Sequence, residues 1–357
     1  METLVTSLAL LRGKRVLITG HTGFKGSWLA HWLLSAGAEV HGIALAPHTS
    51  PSLFEELVLA QWMNSIFCDI RNADELQRHF AAIQPDVVLH LAAQAIVKKS
   101  YSDPVDTFTT NVVGSLNVLE AVRNSSSVRS FVFVTSDKCY LNRELMRGYH
   151  EEDELGGADP YSASKASAEL LYHSYVPSFF AGNPSLGVAS ARAGNVIGGG
   201  DWSDDRLVPD CVRALASEAP IVLRRPDATR PWQHVLEPLS GYITLAGNLL
   251  TAGISSGESW NFGPRENDVH TVADVAGRCV SAWGSGSVVV DTSQQTVHEA
   301  TLLQLNCEKA AKRLRWNPRW SYETTVERTV RWYRSRHTGA SIQGLVQTDI
   351  DDYVSAS

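Results

Sequence analysis

A strand that breaks on glycines into a helix restricts the fold of this chain more than any other stretch of it. Val16-Leu17-Ile18-Thr19 is a short apolar run, and Gly20-His21-Thr22-Gly23-Phe24-Lys25-Gly26 follows directly. Ser27 to Ala36 then carries helical apolar spacing and stops at Gly37. Glycines in such a turn allow a tight bend and let a pyrophosphate reach the backbone, while the helix N-terminus favours the anion. The spacing is G-x-x-G-x-x-G rather than the commoner G-x-G-x-x-G. A glycine-rich turn without function is the plainer alternative, and the flanking strand and helix weigh against it.

The same alternation continues downstream. Glu39 to Ala46 reads as a second strand, Ile66 to Ile70 as a third, Asp86 to Ala93 as a fourth, Ser130 to Thr135 as a fifth, and Gly187 to Ala191 as another. Asp74 to Ile83 and Thr107 to Arg123 are helical between them. Nearly continuous apolar strands alternating with helices predict an α/β fold, a Rossmann-type doubly wound parallel sheet. Ligands bind such sheets beyond the carboxyl ends of the strands. Asp69, at the third strand's end, is placed to meet an adenine, though spacing alone leaves a turn-forming Asp equally open. The small Ala92 and Ala93 let a ligand approach the fourth strand, and Asn111 is placed to hold a water or a strand carbonyl. The second strand ends Ile43-Ala44-Leu45-Ala46-Pro47-His48, without the acidic residue that normally holds the ribose of NAD and without an arginine for a 2′-phosphate.

Chemistry is expected at Asp159-Pro160-Tyr161-Ser162-Ala163-Ser164-Lys165. Asp159 can cap a helix and Pro160 suits its first turn. Tyr161 and Lys165 then leave one helix face, and a lysine ammonium beside a phenol lowers the phenol's pKa. Tyr161 is thus a candidate base for an alcohol proton, with Ser136, Asp137 and Lys138 arriving at the end of the fifth strand. Tyr-x-x-x-Lys alone also fits a surface pair. The upstream dinucleotide loop favours the catalytic reading.

Beyond this helix, Arg192 to Trp202 is a loop with four glycines. Arg206, Arg224, Arg225 and Arg230 follow, a residue type suited to diphosphates, with Arg230 first among the candidates and solvated arginines as the alternative. Ser255 to Gly257 and Ser281 to Ser287 read as loops. Asn306 to Leu314 and Thr324 to Arg336 read as helices, and the chain after His337 as a frayed end. Packing is the favoured role for Trp202, Trp232, Trp260, Trp316, Trp320 and Trp332, ahead of a sugar-nucleotide pocket. The net charge of −7 and the absence of a long basic run argue against nucleic-acid binding. No apolar run reaches the length of a membrane span, and Met1 to Leu11 lacks a secretion signal's basic start. Five scattered cysteines without C-x-x-C spacing point to reduced thiols in the cytoplasm and to no metal site.

Several of these segments together resemble the CDP-glucose 4,6-dehydratases, within the extended short-chain dehydrogenase/reductases. They are residues 20–26, Ser136-Asp137-Lys138-Cys139-Tyr140, residues 159–165, residues 194–202, Arg230 to Val235, Trp260 to Pro264 and His298-Glu299-Ala300. The resemblance runs from about residue 12 to residue 336. It implies an NAD-binding Rossmann domain over residues 1–190, a smaller and mainly sugar-nucleotide-binding domain over 191–340 that can cross back into the sheet, a tail at 341–357, and a homodimer. Gly20, His21, Thr22, Gly23, Phe24, Lys25 and Gly26 would line the cofactor phosphates, with Asp69 and Ile70 at the adenine. Ala92, Ala93, Gln94, Asn111, Tyr161 and Lys165 would complete the cofactor site. Asn195 and Arg230 would meet the substrate phosphates and Glu299 its ribose, with Arg206 also in the substrate site.

The related TDP- and GDP-sugar dehydratases carry a glutamate where Ser136-Asp137-Lys138 stands. The implied reaction takes CDP-glucose to its 4-keto-6-deoxy product. Tyr161 deprotonates the C4 hydroxyl as hydride passes to NAD, Lys138 removes the C5 proton, Asp137 protonates the leaving C6 hydroxyl, and hydride returns to C6. Ser136 would hold the C4 oxygen. An NAD-dependent 4-epimerase shares Tyr/Lys and does not need the Asp137-Lys138 pair. A silent dinucleotide sensor does not need Tyr161 and Lys165.

Overall fold

Alternate residues of each central strand point to opposite faces, and each face has its own core. Val16, Ile18, Val87, Leu89 and Val132 belong to one. Leu17, Val88, Phe131, Phe133 and Val188 belong to the other. Burial on both faces explains why these strands read as unbroken apolar runs. The structure, a computed structural model, describes residues 2–254, 256–265, 268–291 and 302–356.

The strands are β1 (Arg15–Thr19), β2 (Glu39–Ala44), β3 (Asn64–Phe67), β4 (Val87–His90), β5 (Ser130–Val134), β6 (Gly187–Ala193) and β7 (Ser259–Phe262). They form one seven-stranded sheet ordered β7-β6-β5-β4-β1-β2-β3. All its pairings are parallel. The order reverses between β1 and β4, so a crevice opens at their carboxyl ends. β3 starts two residues before the expected Ile66 and stops at Phe67, because its register with β2 runs from His41↔Asn64 to Ala44↔Phe67. Cys68 to Ile70 are therefore already loop.

The larger helices are α1 (Glu2–Leu11), α2 (Phe24–Ser35), α3 (Ala73–Ile83), α4 (Ser115–Arg123), α5 (Pro160–Tyr175), α6 (Leu207–Ala216), α7 (Leu236–Leu250), α8 (Val272–Trp283), α9 (Tyr322–His337) and α10 (Ile342–Ser355). A wide helical turn, Thr109–Gly114, leads into α4 and carries Asn111. β7 comes from the segment expected to bind substrate, yet it pairs with β6 as the sheet's edge. α8 continues to Trp283 and ends on Gly284 at φ 95°, so part of the loop expected at 281–287 is helix.

The frayed end expected after His337 is corrected by α10. Val346, Ile350 and Tyr353 make a stripe at helical spacing that is buried in the first core. The Tyr353 hydroxyl donates to Glu237 Oε2 at 2.6 Å. Arg319 Nη1 donates to the carbonyls of Tyr353, Val354 and Ala356 at 2.9–3.0 Å, which satisfies the helix end. The stripe is masked in the sequence by the acidic and amide residues between its members. The tryptophans are mostly packing residues, as expected: Trp232, Trp260, Trp316, Trp320 and Trp332 are buried.

Candidate active site

Beyond the carboxyl ends of the strands lies a cleft of ≈ 1070 Å³, and both the glycine loop and Tyr161 line it. Gly20 adopts φ 80°, and a Cβ there would lie 2.8 Å from the Ala92 nitrogen, so the turn needs glycine. A Cβ on Gly23 would touch only the Gly20 oxygen, at 3.5 Å. Gly23 is the N-cap of α2, and no side chain among the described residues caps that helix. Its first N–H groups are left for an outside acceptor, the arrangement an anionic diphosphate requires. This cradle fits a dinucleotide such as NAD. Thr22, Phe24 and Lys25 also line the cleft, as do Asp69, Ile70, Ala92, Ala93 and Gln94. The rim at Ala44, Leu45 and Ala46 offers no carboxylate to a ribose, as the sequence indicated.

Three expected cofactor residues act differently from the simple reading. The His21 side chain turns away from the cleft and lies against Gly42, where a Cβ would come within 2.3 Å of its ring. Its Nε2 is 2.7 Å from Ser65 Oγ, so it ties the loop to β2 and β3. Asn111 is a positioning residue. It accepts from the Gln94 nitrogen at 2.8 Å and donates to the Gln94 carbonyl at 3.0 Å and to Ser164 Oγ at 2.9 Å. The carbonyl it holds is that of Gln94, which lies beyond the end of β4 rather than within a strand. The Asp69 carboxylate is taken by Arg71, whose Nη2 donates at 2.6 Å.

At the opposite end of the cleft, Asp159 caps α5 by accepting from the Ser162 nitrogen at 2.9 Å. Tyr161 and Lys165 follow on one face, both buried. Ser136 lies two residues past the end of β5 and is a hydrogen-bonding neighbour of the Tyr161 phenol. Its hydroxyl also donates to Asp137 Oδ1 at 2.9 Å. Asp137 Oδ2 is buried and finds no donor among the described residues. Lys138 is half-buried and faces the same cleft. The structure therefore brings Ser136, Asp137, Lys138, Tyr161 and Lys165 together.

The expected lowering of the Tyr161 pKa is not what this site produces. Burial pushes the phenol up to about 12; the Ser136 hydrogen bond lowers it, and the negative Asp137 nearby raises it. Lys165 is itself lowered to about 8 by burial, against the pull of Cys139 and Glu169. Lys25 was expected only at the cofactor phosphates, yet it shares the catalytic end. Desolvation, then the charges of Arg206 and Lys165, lower it to about 8, while Asp137 acts the other way.

On the substrate side, Asn195, Arg206, Arg224, Arg225 and Arg230 all line the cleft. Arg206 Nη1 donates to Asp201 Oδ2 at 2.8 Å, so its head is aimed by the glycine loop that precedes it. Trp232 lines the cleft as well as the core. Glu299 lies outside the described residues, as does the rest of His298-Glu299-Ala300.

Sequence reading missed a buried network directly beneath the site. Arg192 Nη2 donates to Glu169 Oε2 at 2.8 Å, one turn past Lys165, and neither side chain has any exposure. Arg192 Nη1 reaches the Tyr140 hydroxyl at 2.8 Å and the Glu151 carbonyl at 2.9 Å. Thr135 donates to Glu169 Oε1, and Ser190 to its Oε2 at 3.0 Å. The catalytic turn after β5 is thereby bolted to α5. No signal in the sequence separates Arg192 from an ordinary loop arginine.

The family description "GDP-mannose 4,6 dehydratase" matches residues 17–329. A CDP-glucose 4,6-dehydratase of Salmonella typhimurium is 46% identical over 352 residues, 97% of this chain and 98% of the relative. Among solved structures, an epimerase of Methanothermobacter thermautotrophicus superposes with a TM-score of 0.78 at 23% identity, covering 97% of this chain and 98% of its own. A dTDP-glucose 4,6-dehydratase of Streptomyces venezuelae, solved with NAD bound, gives 0.74 at 25% identity, covering 91% and 98%.

Proposed function

Because the chain belongs to the GDP-mannose 4,6 dehydratase family, within the extended short-chain dehydrogenase/reductases, we propose that it dehydrates a nucleotide-activated glucose, CDP-glucose, to the 4-keto-6-deoxy sugar. The observation that carries this is the pair Asp137 and Lys138 facing the Tyr161 cleft. A 4-epimerase needs Tyr161 and a dinucleotide, yet no second acid–base pair for C5 and C6. The buried Asp137 Oδ2, without a donor among the described residues, suits a sugar hydroxyl as its partner. A dinucleotide sensor would need neither this pair nor the Tyr161–Lys165 face.

NAD, held by the glycine cradle, supplies hydride transfer at C4 and C6 when bound. The residues of the chain move the protons. Ser136 holds the C4 oxygen while Tyr161 takes its proton. The new ketone acidifies C5–H, which Lys138 removes. Asp137 gives its proton to the departing C6 hydroxyl, so water leaves, and a proton is restored to C5 as C6 is reduced. Asp137 and Tyr161 are coupled, since the negative Asp137 raises the phenol's pKa. Residues 191–340 supply most of the nucleotide-sugar side, with Asn195, Arg206 and Arg230 at the diphosphate and Glu299 at the ribose. NAD is preferred to NADP and held modestly, since the β2 rim has neither a carboxylate nor an arginine. A cytoplasmic homodimer completes this reading. Its support is the resemblance; no helix among the described residues is long and apolar enough to cross a membrane.

Incubating the protein with NAD and CDP-, TDP-, UDP- and GDP-glucose tests this. The expected outcome is loss of one water by mass, with the highest specificity constant for CDP-glucose. A better specificity constant for another nucleotide overturns the substrate, and a product of unchanged mass favours the epimerase. A second expected result concerns the C5 proton. Lys138→Met should stop solvent deuterium from entering C5 while C4 oxidation persists. Deuterium entering at the normal rate would remove Lys138 as the base and leave Asp137 to make both transfers.

A further inference from the structure

The end of β3 and the first turns of α3 bring together three side chains that the proposed dehydration does not use. Cys68 follows β3 and is buried. Asn72 caps α3, accepting from the Glu75 nitrogen at 3.3 Å and donating to Glu75 Oε2 at 2.8 Å. Glu75 and His79 are four residues apart, so they share one helix face and that face meets Cys68. The Cys68 sulfur, a Glu75 oxygen and a His79 nitrogen all lie within 4.8 Å of one another. Glu75 Oε1 is 3.8 Å from His79 Nε2, too far for a hydrogen bond. His79 Nε2 is shielded from solvent and finds no hydrogen-bond partner among the described residues. The Cys68 sulfur lies 3.5 Å from the Asp69 carbonyl and is a hydrogen-bonding neighbour of the Glu75 carboxylate.

We propose that Cys68, Glu75 and His79 form a binding site for a thiophilic divalent cation of the zinc class, beside the adenine end of the cofactor cleft. Thiolate, imidazole and carboxylate are the donors zinc uses, and three protein ligands leave a fourth position for water. Sulfur and imidazole select against magnesium and calcium, which take oxygen ligands. Zinc holds S, N and O donors at about 2.3, 2.0–2.1 and 2.0–2.2 Å. Tetrahedral donors at those distances are about 3.3–3.7 Å apart. The present spread closes to that by side-chain rotation, because Glu75 and His79 are half-buried and keep room to turn. On binding, the Cys68 thiol proton passes to solvent and the sulfur bonds the ion. A thiolate and a carboxylate then balance its two charges. The C-x-x-C criterion missed this site, since only one of its ligands is a cysteine.

The site is separate from the catalytic end, so it is tested without turnover. Chelator-treated protein titrated with Co²⁺ should develop a near-ultraviolet thiolate-to-metal band that saturates at one equivalent and is bleached by Zn²⁺. Cys68→Ser should abolish the band. His79→Gln, on the helix surface, should weaken affinity by at least about 10–100-fold, the loss brought by removing even an outer-shell partner. Zn²⁺ should raise the melting temperature of the wild type and not of Cys68→Ser, by mass action on the folded state. Failure of the band to form in the wild type, its persistence in Cys68→Ser, or unchanged affinity in His79→Gln would each overturn the site.

Discussion

Tyr161→Phe should lose about 10²–10⁴-fold in turnover, the usual contribution of one general acid–base group. Nucleotide-sugar and NAD affinities should stay near wild type. The phenyl ring fills the same buried place on α5, with Asp159 still capping the helix at the Ser162 nitrogen. Only the hydroxyl next to Ser136 is removed. Since burial holds the wild-type phenol at about 12, turnover should also rise with pH over the range where ionisation is partial. The variant's residual rate should lack that rise. Steady-state rates with calorimetric affinities check both points. A Phe variant with near wild-type turnover would remove Tyr161 from the chemistry, and one that no longer binds nucleotide sugar would assign it to binding.

Arg192→Leu should destabilise the fold by about 3–5 kcal/mol, because Glu169 is then left buried and uncompensated. Both side chains have no exposure, so water cannot take over the lost bonds. Turnover should fall as well, since Arg192 also holds Tyr140, three residues past Asp137. Adding Glu169→Gln to the variant removes the stranded charge and should restore part of the melting temperature. A double variant less stable than the single one would show that the charge was not the source of the loss.

Much of the sheet was legible because a strand buried on both faces has to be apolar throughout, as Val87 to Leu89 and Phe131 to Val134 are. Tyr161 and Lys165 were legible because a helix places residues four apart on one face, whatever surrounds them. What escaped is what tertiary contact decides. Arg192 and Glu169 are 23 residues apart and meet only because β6 lies beside α5. Lys25 belongs to the phosphate loop in sequence, yet it senses Asp137 in space. The phenol's protonation follows the same rule. The Tyr161–Lys165 spacing argued for a lowered pKa, and desolvation, which no spacing reveals, decided the other way. α10 escaped because its stripe is diluted by polar neighbours, and burial of Tyr353 against Glu237 supplies what propensity does not.

The edge strand β7 has a consequence for how the molecule comes into being. β6 cannot be covered on its outer side until Ser259–Phe262 arrives, and residues 194–258 must emerge before that. During synthesis, at about 5–20 residues per second, an unfinished sheet therefore presents a bare parallel edge to solvent for several seconds. The Arg192–Glu169 pair reaches its Ser259 contact only then. Closure of the catalytic floor and closure of the sheet are one late event, and a nascent chain stalled before β7 would be a client for chaperones rather than an early enzyme.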